Sequence, residues 1–192
     1  MNTQPNERII YTHSLTLPRL GPLTLYSDGT HLIGLAMPTQ KYNTIGTAQY
    51  ISKTLPIFEE TEAWLHAYEE GNDPGPVPPL QPEGTDFRKR VWHALLTIPY
   101  GRLTTYGDLA TVVYGNKCGG LSARAIGGAV GHNPIPIIIP CHRVIGHDGS
   151  LTGYTGGLDI KIRLLELEHL TVTDNQVISP PLISTASLIT ET

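Results

Sequence analysis

Cysteine is scarce in this chain of 192 residues: Cys118 and Cys141 are the only two. Two are too few for a disulfide framework or a cysteine-rich zinc site. Aromatic residues are 7% and charged residues 16% of the total, which excludes a charge-rich disordered chain. Long apolar runs are also missing. The best, Ile135 to Pro140, has strand length and falls far short of the ~18 residues of a membrane span. The start, Met1 to Arg8, lacks the charged-then-apolar pattern of a secretory leader. A reducing cytoplasm is therefore the expected compartment. What the chain does have is turn-formers, 20 glycines and 16 prolines, beside 40% apolar residues that can build a core. The net charge of −4 conceals an asymmetry: residues 1–85 carry −5, residues 86–170 carry +3 and residues 171–192 carry −2. A basic middle between acidic ends is weak support for a polyanionic partner.

The first 71 residues read as a small sheet with a helix. Residues 9–17 form a strand, and Leu23–Tyr26 and His31–Met37 flank an Asp28-Gly29 turn, a strong hairpin signal. Pro56 suits the first turn of a helix that places Ile57, Thr61, Trp64, Leu65 and Tyr68 on one face and stops at Gly71. Five prolines between Asn72 and Pro82 then predict a stiff linker without regular structure. The spacing beyond it predicts helices. One is capped by Thr85 or Asp86, with Phe87, Val91, Trp92, Leu95 and Leu96 inward. A short one is capped by Thr104 or Thr105, a third runs from Ala123 to His132, and a last spans Leu158 to Leu170. The second and third, joined by a glycine-bearing loop over residues 115–120, suggest a helix-turn-helix with a long turn. Its second helix is nearly bare of bulk: Gly127 and Gly128 each cost roughly 1 kcal/mol relative to alanine. Either a neighbour packs closely there or a bulky ligand must approach it, with Arg124 as its one long side chain.

The chemistry concentrates in Asn133 to Gly146, where prolines bracket a short apolar strand ending at Cys141, followed at once by His142 and Arg143. Positive charge near a thiol lowers its pKa and favours the nucleophilic thiolate. A cysteine at a strand end can equally be a small buried apolar group. Consecutive strand residues also point to opposite faces, so Cys141 and His142 meet only if the chain turns there. Cys118, in a glycine-rich loop, has no comparable setting. Gly153 to Gly157 forms a flexible loop with two hydroxyls suited to lining a pocket, and Glu166 and Glu168 both lie near a helix end, where one that reaches a histidine can orient it.

Pro140-Cys141-His142-Arg143-Val144-Ile145 resembles the acceptor motif of the O6-alkylguanine-DNA alkyltransferases, the methylated-DNA–protein-cysteine methyltransferases. The resemblance runs from about Gly84 to Leu170. It takes in Thr85-Asp86-Phe87, Ile98-Pro99-Tyr100-Gly101, Thr105 to Ala110, Ala123 to Ala129, Asn133-Pro134 and Gly153 to Leu158. It implies an α+β protein: a small N-terminal antiparallel sheet-and-helix domain, ribonuclease-H-like, over residues 1–84 with the linker. A mostly helical, winged helix-turn-helix-like domain over 85–170 follows, and residues 171–192 are expected to be disordered or loosely packed. By the same resemblance Cys141 is the alkyl acceptor, His142 deprotonates it through a water, Glu168 orients His142, and Asn133 is the hinge of the turn. Tyr106 turns the 3′ phosphate and gives a proton to the leaving guanine. Arg124 fills the gap left by the extruded nucleotide, on a helix whose Ser122, Ala123, Gly127 and Gly128 meet the minor groove of double-stranded DNA. Tyr154, Thr155, Val144 and Pro136 line the base pocket. The implied reaction is a single-turnover repair of O6-alkylguanine, with O4-alkylthymine a further candidate, by a monomer needing no metal or organic cofactor. The N-terminal half has no cysteine, so the structural zinc of some relatives is not expected. Two rival readings are a damage-binding module without chemistry, which Cys141 argues against, and a Cys-His hydrolase or redox protein, which would have no use for Arg124.

Overall fold

Alternation of apolar and polar residues builds the first layer. In β1 (Ile9–Leu17), Ile10, Leu15 and Leu17 are buried while Ser14 and Thr16 face water. It pairs antiparallel with β2 (Gly21–Ser27), which pairs antiparallel with β3 (Leu32–Ala36). The β2–β3 turn is closed by Asp28, whose Oδ1 accepts the backbone N–H groups of Thr30 (2.9 Å) and His31 (2.8 Å). The structure, a computed structural model, describes residues 8–38, 48–115 and 122–183. A fourth strand, β4 (Gln49–Ser52), runs parallel to β1, giving the order β3-β2-β1-β4. The sheet is therefore mixed, a correction to the antiparallel sheet expected. Four largely exposed residues at a sheet edge carry no apolar period that would have announced β4.

Helix α1 (Pro56–Glu69) begins at Pro56 and ends before Gly71, whose φ of +82° suits glycine. All five residues assigned to its inner face are buried. The proline-rich segment after it is not a free spacer. Leu32 N–H donates to Pro79 O (2.8 Å) and Gln81 N–H to Leu32 O (2.9 Å), stitching it to the edge at β3.

Thr85 caps α2 (Asp86–Leu96) by accepting the Arg88 N–H, and Thr105 caps α3 (Tyr106–Tyr114) by accepting the Asp108 N–H. Each cap is worth about 1 kcal/mol. Trp92 Nε1–H donates to Ala129 O at 2.9 Å and joins α2 to α4 (Ser122–Gly131). A short parallel pair, β5 (Thr104–Thr105) with β6 (Val144–Ile145), sets the start of α3 beside the stretch after Cys141. One hydrophobic core unites Leu17, Leu65 and Tyr68 with Trp92, Ile126, Ile139 and Leu164. The halves on either side of the linker share it.

Three further expectations are corrected. Residues 135–139 are buried but form a turn, not a strand: Ile139 N–H donates to Ile135 O (2.9 Å), and Ile137 has φ +75°. Pro134, Pro136 and Pro140 have no N–H to give a ladder, so an apolar run of strand length cannot pair as one. Helix α5 spans Leu158–Leu167, shorter than expected, because His169 takes φ +62°. Residues 171–183, expected to be disordered or loosely packed, carry regular pairing. Strands β7 (Val172–Thr173) and β8 (Gln176–Val177) pair across Asp174 and Asn175, both at positive φ, and Ile183 N–H donates to Leu103 O at 2.9 Å. Residues 184–192, Cys118 and the 116–120 loop lie outside the described residues.

Candidate active site

A 3-10 turn, Cys141–Arg143, follows Pro140. Each residue of such a turn rotates the side chain by about 120°. Cys141, His142 and Arg143 thus reach different partners although they are consecutive. Glu168, the residue that ends α5, gathers two of them. Its Oε1 accepts from His142 Nε2 (2.6 Å), the Tyr68 hydroxyl (2.8 Å) and Arg143 Nε (3.1 Å). Its Oε2 accepts from Arg143 Nε (3.0 Å) and Gly101 N–H (2.9 Å). Arg143 Nη1 also donates to Ile98 O at 2.6 Å.

Burial alone would raise the Glu168 pKa, but the charges and hydrogen bonds of His142 and Arg143 outweigh it and hold it at about 2. Burial pushes His142 the other way, below its ordinary value, against the pull of Glu168. The consistent state is a carboxylate countered by Arg143 and facing a neutral imidazole. Nε2 then carries the proton, and Nδ1 keeps its lone pair. Nδ1 is buried and has no hydrogen-bond partner among the described residues.

Cys141 is 3% exposed, and its Sγ accepts from Asn133 Nδ2 at 3.1 Å. Burial raises the thiol pKa; Asn133, the Lys161 charge and Tyr154 oppose this without overcoming it. The expectation that the adjacent His142 and Arg143 make a thiolate is therefore corrected: one is neutral and the other is spent on Glu168. The resting group is a thiol that needs a base. Asn133 also holds the turn before it, donating from Nδ2 to Ile139 O (2.7 Å) and accepting Ile135 N–H at Oδ1 (3.0 Å).

Around the sulfur the structure gathers most of the proposed pocket. The Tyr154 hydroxyl is buried close enough to affect the thiol yet makes no hydrogen bond of ordinary geometry. Thr155 Oγ1–H donates to Gly131 O (2.7 Å), tying the loop to the end of α4. A Cβ at Gly156 would come 2.9 Å from the terminal carbon of Met37 and 3.1 Å from the Tyr154 ring, so a side chain there would displace the flexible end of Met37 and crowd Tyr154. Val144 and Pro136 are buried. Tyr106, the first residue of α3, is half-buried, and burial and the neighbouring Cys141 raise its pKa. Arg124 and Gly128 are exposed on α4. Among the described residues, a Cβ at Gly128 or Gly131 would meet nothing within 4 Å, and one at Gly127 only the Tyr106 ring at 3.9 Å. Packing therefore does not demand these glycines. The side chains of Ser122 and Ala123 lie outside the described ones.

Three residues were missed in the sequence. Lys161 is fully buried, donates to Val144 O (2.7 Å) and Thr152 O (3.1 Å), and has its pKa lowered to about 8 by burial. Its signal was its spacing, three residues from Leu158 and three from Leu164 on the inward stripe of α5. Tyr68 was taken for core alone, and Arg143 was quoted without a partner. Among the described residues no group of three or more His, Cys, Asp or Glu is placed to hold a metal, and no helix is long and apolar enough to cross a membrane.

A buried thiol next in sequence to a carboxylate-held neutral histidine marks a candidate thiol-based centre on an α+β scaffold. Residues 86–170 match the family model of the 6-O-methylguanine DNA methyltransferase DNA-binding domain. A methylated-DNA–protein-cysteine methyltransferase of Mycobacterium tuberculosis is 46% identical over 149 residues, 78% of this chain and 87% of the relative. One of Haemophilus influenzae is 40% identical over 156 residues, 81% and 84% of the two chains. The structure of Mycobacterium tuberculosis OGT in complex with DNA matches with a TM-score of 0.68 at 42% identity, covering 83% of this chain and 92% of that one. The chain belongs to the methylated-DNA–protein-cysteine methyltransferase family. It is a DNA-binding DNA-repair enzyme that works by alkyl transfer.

Proposed function

We propose that Cys141 is the acceptor and that the substrate is O6-alkylguanine extruded from duplex DNA. The observation that carries this reading is the unpartnered, buried Nδ1 of a neutral His142 whose other nitrogen is held by Glu168. That nitrogen takes the thiol proton through a water. The sulfur attacks the alkyl carbon, the carbon–O6 bond breaks, and its electron pair leaves with the guanine, which takes a proton from the Tyr106 hydroxyl. Asn133 and Lys161 stabilise the sulfur as it gains charge. The product thioether has no route to cleavage among these residues, so each molecule acts once. O4-alkylthymine offers the same leaving chemistry.

A base within a duplex is out of reach, and extruding it costs a few kcal/mol. Arg124 offsets part of that by filling the vacancy. The glycine-lined face of α4, free of packing duties, lets the protein backbone lie close in the minor groove, ~6 Å wide. The DNA complex of the tuberculosis relative and the DNA-binding-domain match over residues 86–170 support DNA as the partner in this reading. The chain acts as a monomer in the cytoplasm. With the sulfur only 3% exposed, the loop carrying Tyr154 must swing outward to admit a purine. The ribonuclease-H-like and winged-helix descriptions of the two halves belong to the same proposal.

Mixed with duplex DNA containing O6-methylguanine, the protein should gain one methyl group in intact mass, and Cys141→Ala should gain none. A complex without mass change would favour a binding module, and turnover of a small ester substrate a hydrolase. Arg124→Ala should slow repair of duplex substrate by roughly 100-fold while leaving attack on free O6-benzylguanine within about twofold, the rest of the chemistry being intact. Equal losses on both substrates would reject the finger role.

A further inference from the structure

We infer that Tyr68, from the N-terminal half, is a positioning residue for the His142–Glu168 pair: its hydroxyl fixes the carboxylate oxygen that the histidine faces and the ring orientation that leaves Nδ1 free. The inference rests on the reading of Cys141 as acceptor and His142 as its base. The Tyr68 hydroxyl donates to Glu168 Oε1 at 2.8 Å and lies 3.1 Å from His142 Nε2. The Nε2–H, itself 2.6 Å from the same oxygen, therefore faces two oxygens, the carboxylate's and the phenol's. With its proton committed to Glu168, the phenol offers Nε2–H only lone pairs, which favours the Nε2–H tautomer.

The ring holding that hydroxyl is fixed. It stacks on Trp64 with centroids 5.5 Å apart and planes 7° from parallel, and meets Tyr100 edge-on at 6.0 Å. Tyr68 is fully buried. Were packing its only duty, phenylalanine would fill the space without a polar atom to satisfy.

The charged and titratable groups bearing on His142 are Glu168 beyond α5, Lys161 on α5, Arg143 on its own turn and Tyr68 on α1. Arg143 and Lys161 disfavour imidazolium and Glu168 favours it. By sharing Oε1, the Tyr68 proton weakens that last pull and keeps the base neutral. Without it, His142 takes up a proton at higher pH, and the acid limb of the reaction moves upward.

The test is the single-turnover rate of methyl uptake from O6-methylguanine duplex between pH 5 and 9, for the wild-type chain and Tyr68→Phe, with duplex affinity and melting temperature alongside. Tyr68→Phe should react roughly tenfold more slowly at neutral pH, as for one lost hydrogen bond to a charged group. Its acid midpoint should rise by about one pH unit, with affinity unchanged. A rate lowered by the same factor at every pH would mean packing alone and overturn the inference. A measurement on the wild type stands independently of how the variant folds. The Tyr68 hydroxyl proton should be slow to exchange and show a nuclear Overhauser contact to a His142 Nε2 proton; a proton on Nδ1 instead would also overturn it. Should the wild type take up no methyl, the acceptor reading fails, while the tautomer still decides the role of Tyr68.

Discussion

Glu168→Gln should lower folding stability by about 3–5 kcal/mol and abolish methyl uptake by Cys141. The carboxylate accepts from His142, Tyr68, Arg143 and Gly101, and its side chain is fully buried. An amide keeps the shape but supplies one acceptor, turns its NH2 toward donors, and strands the charge of Arg143 out of water. The same group sets an acid window. Its pKa falls from 4.5 unfolded to about 2 folded, so its contribution is complete above 4.5 and is lost as pH falls from there to about 2. Buried His142, also lowered, begins the loss earlier, because below its ordinary value of ~6.5 the unfolded chain binds a proton that the folded one refuses. Urea unfolding at pH 7, 5 and 3 measures both. The variant should lose the component below 4.5, and a variant within 1 kcal/mol of wild type at neutral pH would refute the account of the cage.

Asn133→Ala should destabilise the fold by about 2–4 kcal/mol, since it leaves the Ile135 N–H without its partner in a buried turn and takes from the Ile139 carbonyl one of its two donors, the Cys141 N–H remaining. That turn carries Ile137 at φ +75°, a conformation costing a β-branched residue about 1–3 kcal/mol that the surrounding bonds must override. The sulfur also loses its donor, so its pKa climbs further and methyl transfer slows by at least roughly tenfold. Melting temperature and single-turnover rate check the two halves of this expectation. Unchanged melting would mean that the turn holds itself.

The elements most legible in the sequence were those whose signal is local. Alternation gave β1, Asp28-Gly29 gave the hairpin, and Pro56 with Gly71 bounded α1. The motif Pro140 to Ile145 and its companions pointed to Cys141 and to Glu168, one of the two partners of His142. What escaped depends on contacts between distant residues. Whether Ile135 to Ile139 pairs or winds around Asn133 is decided by an amide side chain, and apolar periodicity is blind to that. The sign of the Cys141 shift is set by how deeply the sulfur is covered, which neighbours in sequence do not reveal. Tyr68 was read as a member of an apolar stripe and Lys161 was passed over beside one; their polar ends find work only where other elements meet them.

The large core shared by both halves makes the chain a poor candidate for dissection. A fragment beginning after the linker would lack the helix whose tyrosine roofs the carboxylate. Solvent would then flood that chamber, screening Arg143 from Glu168 and loosening the grip on the imidazole. The N-terminal half thus acts as the insulation of the candidate centre.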